Sequence, residues 1–150
     1  MNGTLYSSTI KDHGTKPRNN HSMDGWTLRG RAENLVCGDS LFLYLKLEDG
    51  VIRDASFVGD GCKLFKASAS LMTEHVKRQT ISDAQALSDE FLQVVGTPVW
   101  QDAPPYQLRN LSALTVARSY PARASCITLP WTTLLEIFEI EHCREFTEDR

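Results

Sequence analysis

The sequence predicts an α+β fold, a three-stranded antiparallel sheet packed on one face by helices, and three observations carry that expectation. Leu41, Leu43, Leu45 and Leu47 alternate with Ser40, Phe42, Tyr44 and Lys46, the period of a strand with one buried face. Asp49-Gly50 follows as a two-residue hairpin signal. From Cys62 onward the apolar period lengthens to that of helices, so strands come first and helices after them.

Taken in order, residues 1–24 are polar, with a short helix expected near Leu5 to His13, then a Pro/Asn-rich connector, and loose packing of the whole segment. Gly25 to Ala32 is the weaker first strand of a meander that continues through Leu41–Leu47 and returns along Val51 to Val58. Cys37 and Asp39 then fall between the first two strands. Leu64, Phe65, Leu71, Met72, His75 and Val76 share one helical face, with small Ala and Ser residues where close packing is needed. Ser82 with Gln85 forms a capping-box pattern ahead of a second stripe, Ala84, Leu87, Phe91, Val94 and Val95. Gly96, Pro98, Pro104 and Pro105 end that helix. A third is expected over Tyr106 to Ala117 and a fourth from Cys126 to about Cys143, with Pro130 near its first turn, where a missing amide costs little.

The 150 residues suit one domain, 1–150, with a core large enough to fold without disulfide staples. A net charge of -3 and a pI near 5.8 give no reason to expect a nucleic acid or an anionic membrane as partner. The first twenty residues lack a hydrophobic signal region, so a cytoplasmic protein is expected. In that compartment four cysteines argue for metal or redox chemistry.

Three of the four occupy local sequences suited to holding an ion. Cys37-Gly38-Asp39 places a thiol and a carboxylate two residues apart, on one face of an extended segment, with a glycine that lets the backbone bend. Gly59-Asp60-Gly61-Cys62 is a turn leading into a helix, whose N-terminus favours thiolate. Cys126 also stands near a helix start. Three thiolates and one carboxylate complete a tetrahedral zinc shell and leave about two negative charges at the site once the ion is counted. A carboxylate is a more exchangeable donor than the cysteine and histidine of closed structural zinc sites, which favours a working site over a purely structural one. Cys143, beside His142 in a charged C-terminal stretch, is expected to be a bystander. His13 and His75 are expected to be packing residues, and Trp100, Trp131 and Phe138 core or interface aromatics.

In order and spacing these segments resemble the SufU branch of the IscU/NifU-like iron-sulfur cluster assembly family, whose fold is described as SufE/NifU-like. The resemblance runs through Asp12-His13, Lys16-Pro17-Arg18-Asn19, Asn34-Leu35-Val36-Cys37-Gly38-Asp39, Gly59-Asp60-Gly61-Cys62, Ala67-Ser68-Ala69-Ser70, Tyr120-Pro121-Ala122-Arg123-Ala124-Ser125-Cys126 and Leu129-Pro130-Trp131. The scaffold branch usually carries histidine immediately before its third cysteine, where this chain has Ser125. Cys62 and Cys126 are 64 residues apart, about a helix more than in the scaffold branch and similar to the SufU branch, with the insertion placed over Val95 to Leu111. Leu35 stands where the family often has proline, and Lys63 and Lys66 make the second motif more basic.

The resemblance implies a zinc-dependent sulfurtransferase that accepts persulfide sulfur from a SufS-type cysteine desulfurase, which owns the pyridoxal phosphate, and serves downstream iron-sulfur assembly proteins. The metal ligands would be Cys37, Asp39, Cys62 and Cys126. Cys37 would be the acceptor, released when a histidine of the partner takes its place on zinc. Arg123, matching the family's arginine, would offset the negative site, with Lys63 a weaker candidate. A scaffold for an iron-sulfur cluster on the same four residues is the competing function, and a noncatalytic zinc-stabilised interaction module is the third.

Overall fold

In the computed structural model, which describes residues 6–102 and 108–148, the expected α+β architecture is present. Helix α1 (Ser8–Thr15) precedes strands β1 (Leu28–Asn34), β2 (Asp39–Glu48) and β3 (Val51–Asp60), which form one antiparallel sheet in the order β1-β2-β3. Helices α2 (Lys63–Val76) and α3 (Ile81–Gly96), 3-10 segments at Arg109–Ser119 and Pro121–Arg123, and α4 (Ala124–Glu148) follow.

The alternation along β2 sorts its side chains as expected: Leu41, Leu43 and Leu45 are buried, while Phe42 and Lys46 face outward. Asp49 and Gly50 both take positive φ (54° and 75°), the backbone that a two-residue hairpin requires. β1 begins three residues later than the expected Gly25, because Gly25 itself turns (φ 77°) and Trp26 is exposed. α2 packs along β3, and α4 along β1 and β2, so helices cover a single face of the sheet.

α2 owes its close contacts to a run of small residues. Ala67, Ser68, Ala69 and Ser70 are all fully buried. Ser68 Oγ donates to the Ile127 carbonyl and accepts the Trp131 Nε1–H at 3.0 Å, locking α4 against α2. Trp131 stacks on Phe91 of α3, centroids 4.4 Å apart.

Four expectations are corrected. The N-cap of α3 is Thr80, whose hydroxyl accepts the Asp83 amide, so Ser82 and Gln85 lie inside the helix and are exposed. The expected third helix is a 3-10 segment; its buried Leu111, Leu114 and Ala117 recur every three residues, the 3-10 period. Its expected start at Tyr106, with Pro104 and Pro105, lies outside the described residues. α4 starts at Ala124, directly after the Pro121–Arg123 turn, which puts Pro130 in the second turn. Without an amide, Pro130 cannot bond the Cys126 carbonyl four residues back.

The fourth correction concerns residues 6–24, the described part of the N-terminal segment, which are docked where loose packing was expected. Ile10 is fully buried and His13 nearly so. His13 Nδ1 meets Ser70 Oγ at 2.7 Å, and the same hydroxyl accepts the Arg18 amide at 2.9 Å. Gly14 packs on the Lys63 backbone so tightly that a Cβ there would meet its carbonyl oxygen at 2.8 Å. The Asn19 carbonyl accepts the Phe57 amide at 2.9 Å, tying the connector to β3.

Burial, with the nearby Arg18 charge, pushes the His13 pKa below its usual 6.5, against the weaker pull of Glu74 and Asp12. The folded chain therefore refuses a proton that the unfolded chain accepts, so stability falls as pH drops below about 6.5. In thermal unfolding from pH 8 to pH 5, His13→Asn, which keeps a side-chain acceptor but no titration, is expected to show a shallower acid loss than the parent chain. Parallel profiles would remove His13 from the acid response.

Candidate metal centre

The β1–β2 turn, the end of β3 and the start of α4 meet at one end of the sheet. Gly38 takes φ 74° and donates its amide to the Asn34 carbonyl at 2.7 Å, closing a four-residue turn with Cys37 next to β2. The Asn34 side chain accepts the Val36 amide through Oδ1 at 3.2 Å and donates through Nδ2 to Ser125 Oγ at 3.0 Å. One asparagine thus ties the Cys37 turn to the first turn of α4. Leu35 and Val36, at its tip, are 87% and 91% exposed.

Asp39 is the first residue of β2 and only 1% exposed. Its Oδ1 accepts the Cys62 amide at 3.2 Å, while Oδ2 is buried with no hydrogen-bond partner among the described residues. A carboxylate oxygen of Asp39 and the sulfurs of Cys37 and Cys126 all lie within 4.8 Å of one another. Cys126 is fully buried on the first turn of α4.

Cys62, the N-cap residue of α2, does not share that mutual spacing. Its sulfur lies beside the Arg123 guanidinium, which also has Cys126 and Tyr6 as neighbours. Arg123 closes the 3-10 turn before α4, and these sulfur contacts, Cys62 foremost, raise its pKa further above the ordinary arginine value. Burial pushes the Cys126 thiol far up, reinforced by the nearness of Cys37, Asp39 and Cys62. A protein-only site therefore holds Cys126 protonated, and only added positive charge relieves the crowding.

The donors present fit a thiophilic divalent ion. Asp39, grouped with two sulfurs, has one buried oxygen without a hydrogen-bond partner among the described residues, and such an oxygen is costly unless a cation or proton meets it. Thiolates with one oxygen donor suit zinc in tetrahedral coordination. Cys37, Asp39 and Cys126 are gathered already, and Cys62 stands beside Cys126 under Arg123.

The remaining residues singled out in the sequence lie apart from this group. Lys63 is exposed. His13 bonds Ser70, and His75, half-buried on α2, bonds Asn110. Cys143 is exposed near the end of α4. Trp131 and Phe138 are core, whereas Trp100 is 77% exposed. Sequence reading passed over Asn34 as a structural tie and Tyr6 as a partner of Arg123. Asparagine ahead of a glycine-containing turn was the available signal for the first; nothing local marks the second.

Residues 5–119 match the model of the NifU-like N terminal domain, and the chain belongs to that family. The iron-sulfur cluster assembly scaffold protein IscU of Thermotoga maritima is 34% identical over 132 residues, covering 88% of this chain and 91% of that protein. The zinc-dependent sulfurtransferase SufU of Bacillus subtilis is also 34% identical, over 131 residues and 87% of each chain. The crystal structure of a SufU protein from Fervidobacterium islandicum AW-1, described as an iron-sulfur cluster assembly scaffold for the SUF system, superposes with a TM-score of 0.81 at 25% identity. It covers 89% of this chain and 96% of that one. Among the described residues no helix is long and apolar enough to cross a membrane.

Replacing a donor is expected to separate site from bystander. Cys126→Ser should lose most bound zinc, measured by elemental analysis after dialysis, and lower the unfolding midpoint, because metal affinity contributes to folding. Cys143→Ser should retain the parent stoichiometry. Zinc retained in the first variant, or lost in the second, overturns the donor set.

Proposed function

We propose that this chain is a zinc-binding sulfur acceptor of iron-sulfur cluster assembly, served by a pyridoxal-phosphate-dependent cysteine desulfurase of the SufS type. The observation that carries the reading is Ser125. It stands where the scaffold branch places a histidine, and its hydroxyl is engaged by Asn34. The donor set is then three cysteines, Cys37, Cys62 and Cys126, with the exchangeable carboxylate of Asp39. Bound zinc would supply a Lewis-acidic centre that keeps thiols ionised without redox chemistry of its own.

The acceptor role falls to Cys37. It sits on a turn held by Asn34 and Gly38, half-buried, whereas Cys62 and Cys126 are anchored at helix starts. Its thiolate attacks the terminal sulfur of the donor's persulfide; the donor S–S bond breaks, and the electron pair leaves on the donor cysteine. Cys37 then carries the sulfur as a persulfide, with no net oxidation or reduction. Arg123, already against two of the sulfurs, offsets the negative charge of the site without being a ligand. The sulfur would pass to later iron-sulfur assembly proteins.

The equal identity to a protein named as a scaffold keeps cluster assembly on the same donors as the second reading. Anaerobic incubation with a SufS-type desulfurase and cysteine should place one added sulfur on the Cys37 peptide by mass mapping, and Cys37→Ser should abolish it. Arg123→Ala should keep zinc but slow transfer about 10–100-fold, the usual effect of removing a group that supports a metal site. Sulfur found mainly on Cys62 or Cys126, or a stable cluster transferred intact to an apo-acceptor, would favour the scaffold.

A further inference from the structure

The chain reserves one oxygen of Asp39 by a device that lies outside the donor residues. Asp39 Oδ1 is held by the Cys62 amide at 3.2 Å, an amide at the start of α2 that the Cys62 side chain does nothing to cap. Against the same oxygen lies the backbone of Gly61. A Cβ built there would stand 2.2 Å from Oδ1, 3.0 Å from the carboxylate carbon and 3.0 Å from Phe65 Cδ2. The contact with Oδ1 is shorter than a real Cβ shows and the other two are unusually tight, while the neighbours are packed in: Asp39 is 1% exposed and Phe65 fully buried. Phe65 is braced in turn by Gly59, where a Cβ would meet its ring at 2.8 Å. Oδ2 is the oxygen left over, buried and without a hydrogen-bond partner among the described residues.

We propose that Gly61 is a positioning residue for the metal centre: its bare Cα lets the Gly61–Cys62 peptide engage Asp39 Oδ1, leaving Oδ2 as the single oxygen offered beside Cys37 and Cys126. The carboxylate then acts as a one-oxygen donor. A carboxylate bound through both oxygens is harder to displace, so Gly61 sets how readily the oxygen ligand exchanges. Any side chain at position 61 must rotate Asp39, which breaks the Cys62 amide bond and re-aims Oδ2, or must push the start of α2 away from β2.

The metal part of this inference rests on the zinc reading above, and the test separates the two. Four full-length chains are compared: parent, Gly61→Ala, Asp39→Ala and the double variant. Chelator competition is expected to show zinc bound about 10–100-fold more weakly by Gly61→Ala, the usual effect of disturbing a residue that orients a ligand. In the cobalt(II)-loaded protein, the visible ligand-field bands should shift while sulfur-to-cobalt charge-transfer absorption persists. In the Asp39→Ala background the contacts with the carboxylate are gone and only that with Phe65 remains, so Gly61→Ala should cost much less further affinity than it costs the parent. Thermal unfolding of the metal-free chains runs the same cycle: Gly61→Ala lowers the midpoint of the parent by clearly more than that of Asp39→Ala. Additive losses, or a double variant that fails to fold, overturn the proposal. A parent chain that binds no zinc overturns the metal reading alone, since the metal-free cycle still reports the contact between Gly61 and Asp39.

Discussion

The contact between the Asp39 carboxylate and the Cys62 amide is the constraint on which the rest of the site depends. It joins the first residue of β2 to the cap of α2, 23 residues on, and it does so inside the protein, where a carboxylate keeps only the bonds that neighbours provide. Leaving one buried acceptor unmet costs about 1–3 kcal/mol, and more when it is charged. The fold carries that cost at one end of the sheet and places two thiols beside it. A cation is the one partner that satisfies oxygen and sulfurs together.

The helices serve this arrangement by the way they approach. A run of alanine and serine lets α2 lie close under α4, and Ser68 bonds both the Ile127 backbone and the Trp131 indole, so the first two turns of α4 are set from below. Pro130 relieves the Cys126 carbonyl of its helical partner at the same place. Cys126 is thereby held on a turn whose geometry is determined by packing on α2 and by the 3-10 turn that carries Arg123. Asn34 then brings the Cys37 turn to Ser125, next to that cysteine.

The electrostatics follow from crowding. Cys37, Cys126 and Asp39 share one small volume with Cys62 alongside, and burial first, then these neighbours, drive the Cys126 thiol far above its ordinary range. Arg123 answers part of that charge through contacts with Cys62 and Cys126. A sulfur acceptor and a cluster scaffold would draw on the same donors; the difference lies in how easily one thiol and the carboxylate let go, which is a property of the turn and of Gly61 as much as of the ligands.

Leucine alternation, the Asp49-Gly50 pair and the change of period at Cys62 determined the α+β class by themselves, since strand and helix periodicities are local. The candidate donors Cys37, Asp39, Cys62 and Cys126 stood out by residue type and by neighbouring glycines, and of these the structure gathers Cys37, Asp39 and Cys126 within one mutual spacing. Contacts across long separations were not. Docking of α1 through His13 and Ser70, 57 residues apart, and the bond from Asn34 to Ser125, 91 residues apart, leave no periodic trace in the chain. The 3-10 segment after α3 resembles an α-helix in sequence because Leu111, Leu114 and Ala117 are spaced by three, and residues three apart are neighbours on the surface of either helix type. Which oxygen of Asp39 remains open, and why position 61 has no side chain, only the tertiary structure decided, because both depend on β2 and α2 meeting at a distance that no local pattern encodes.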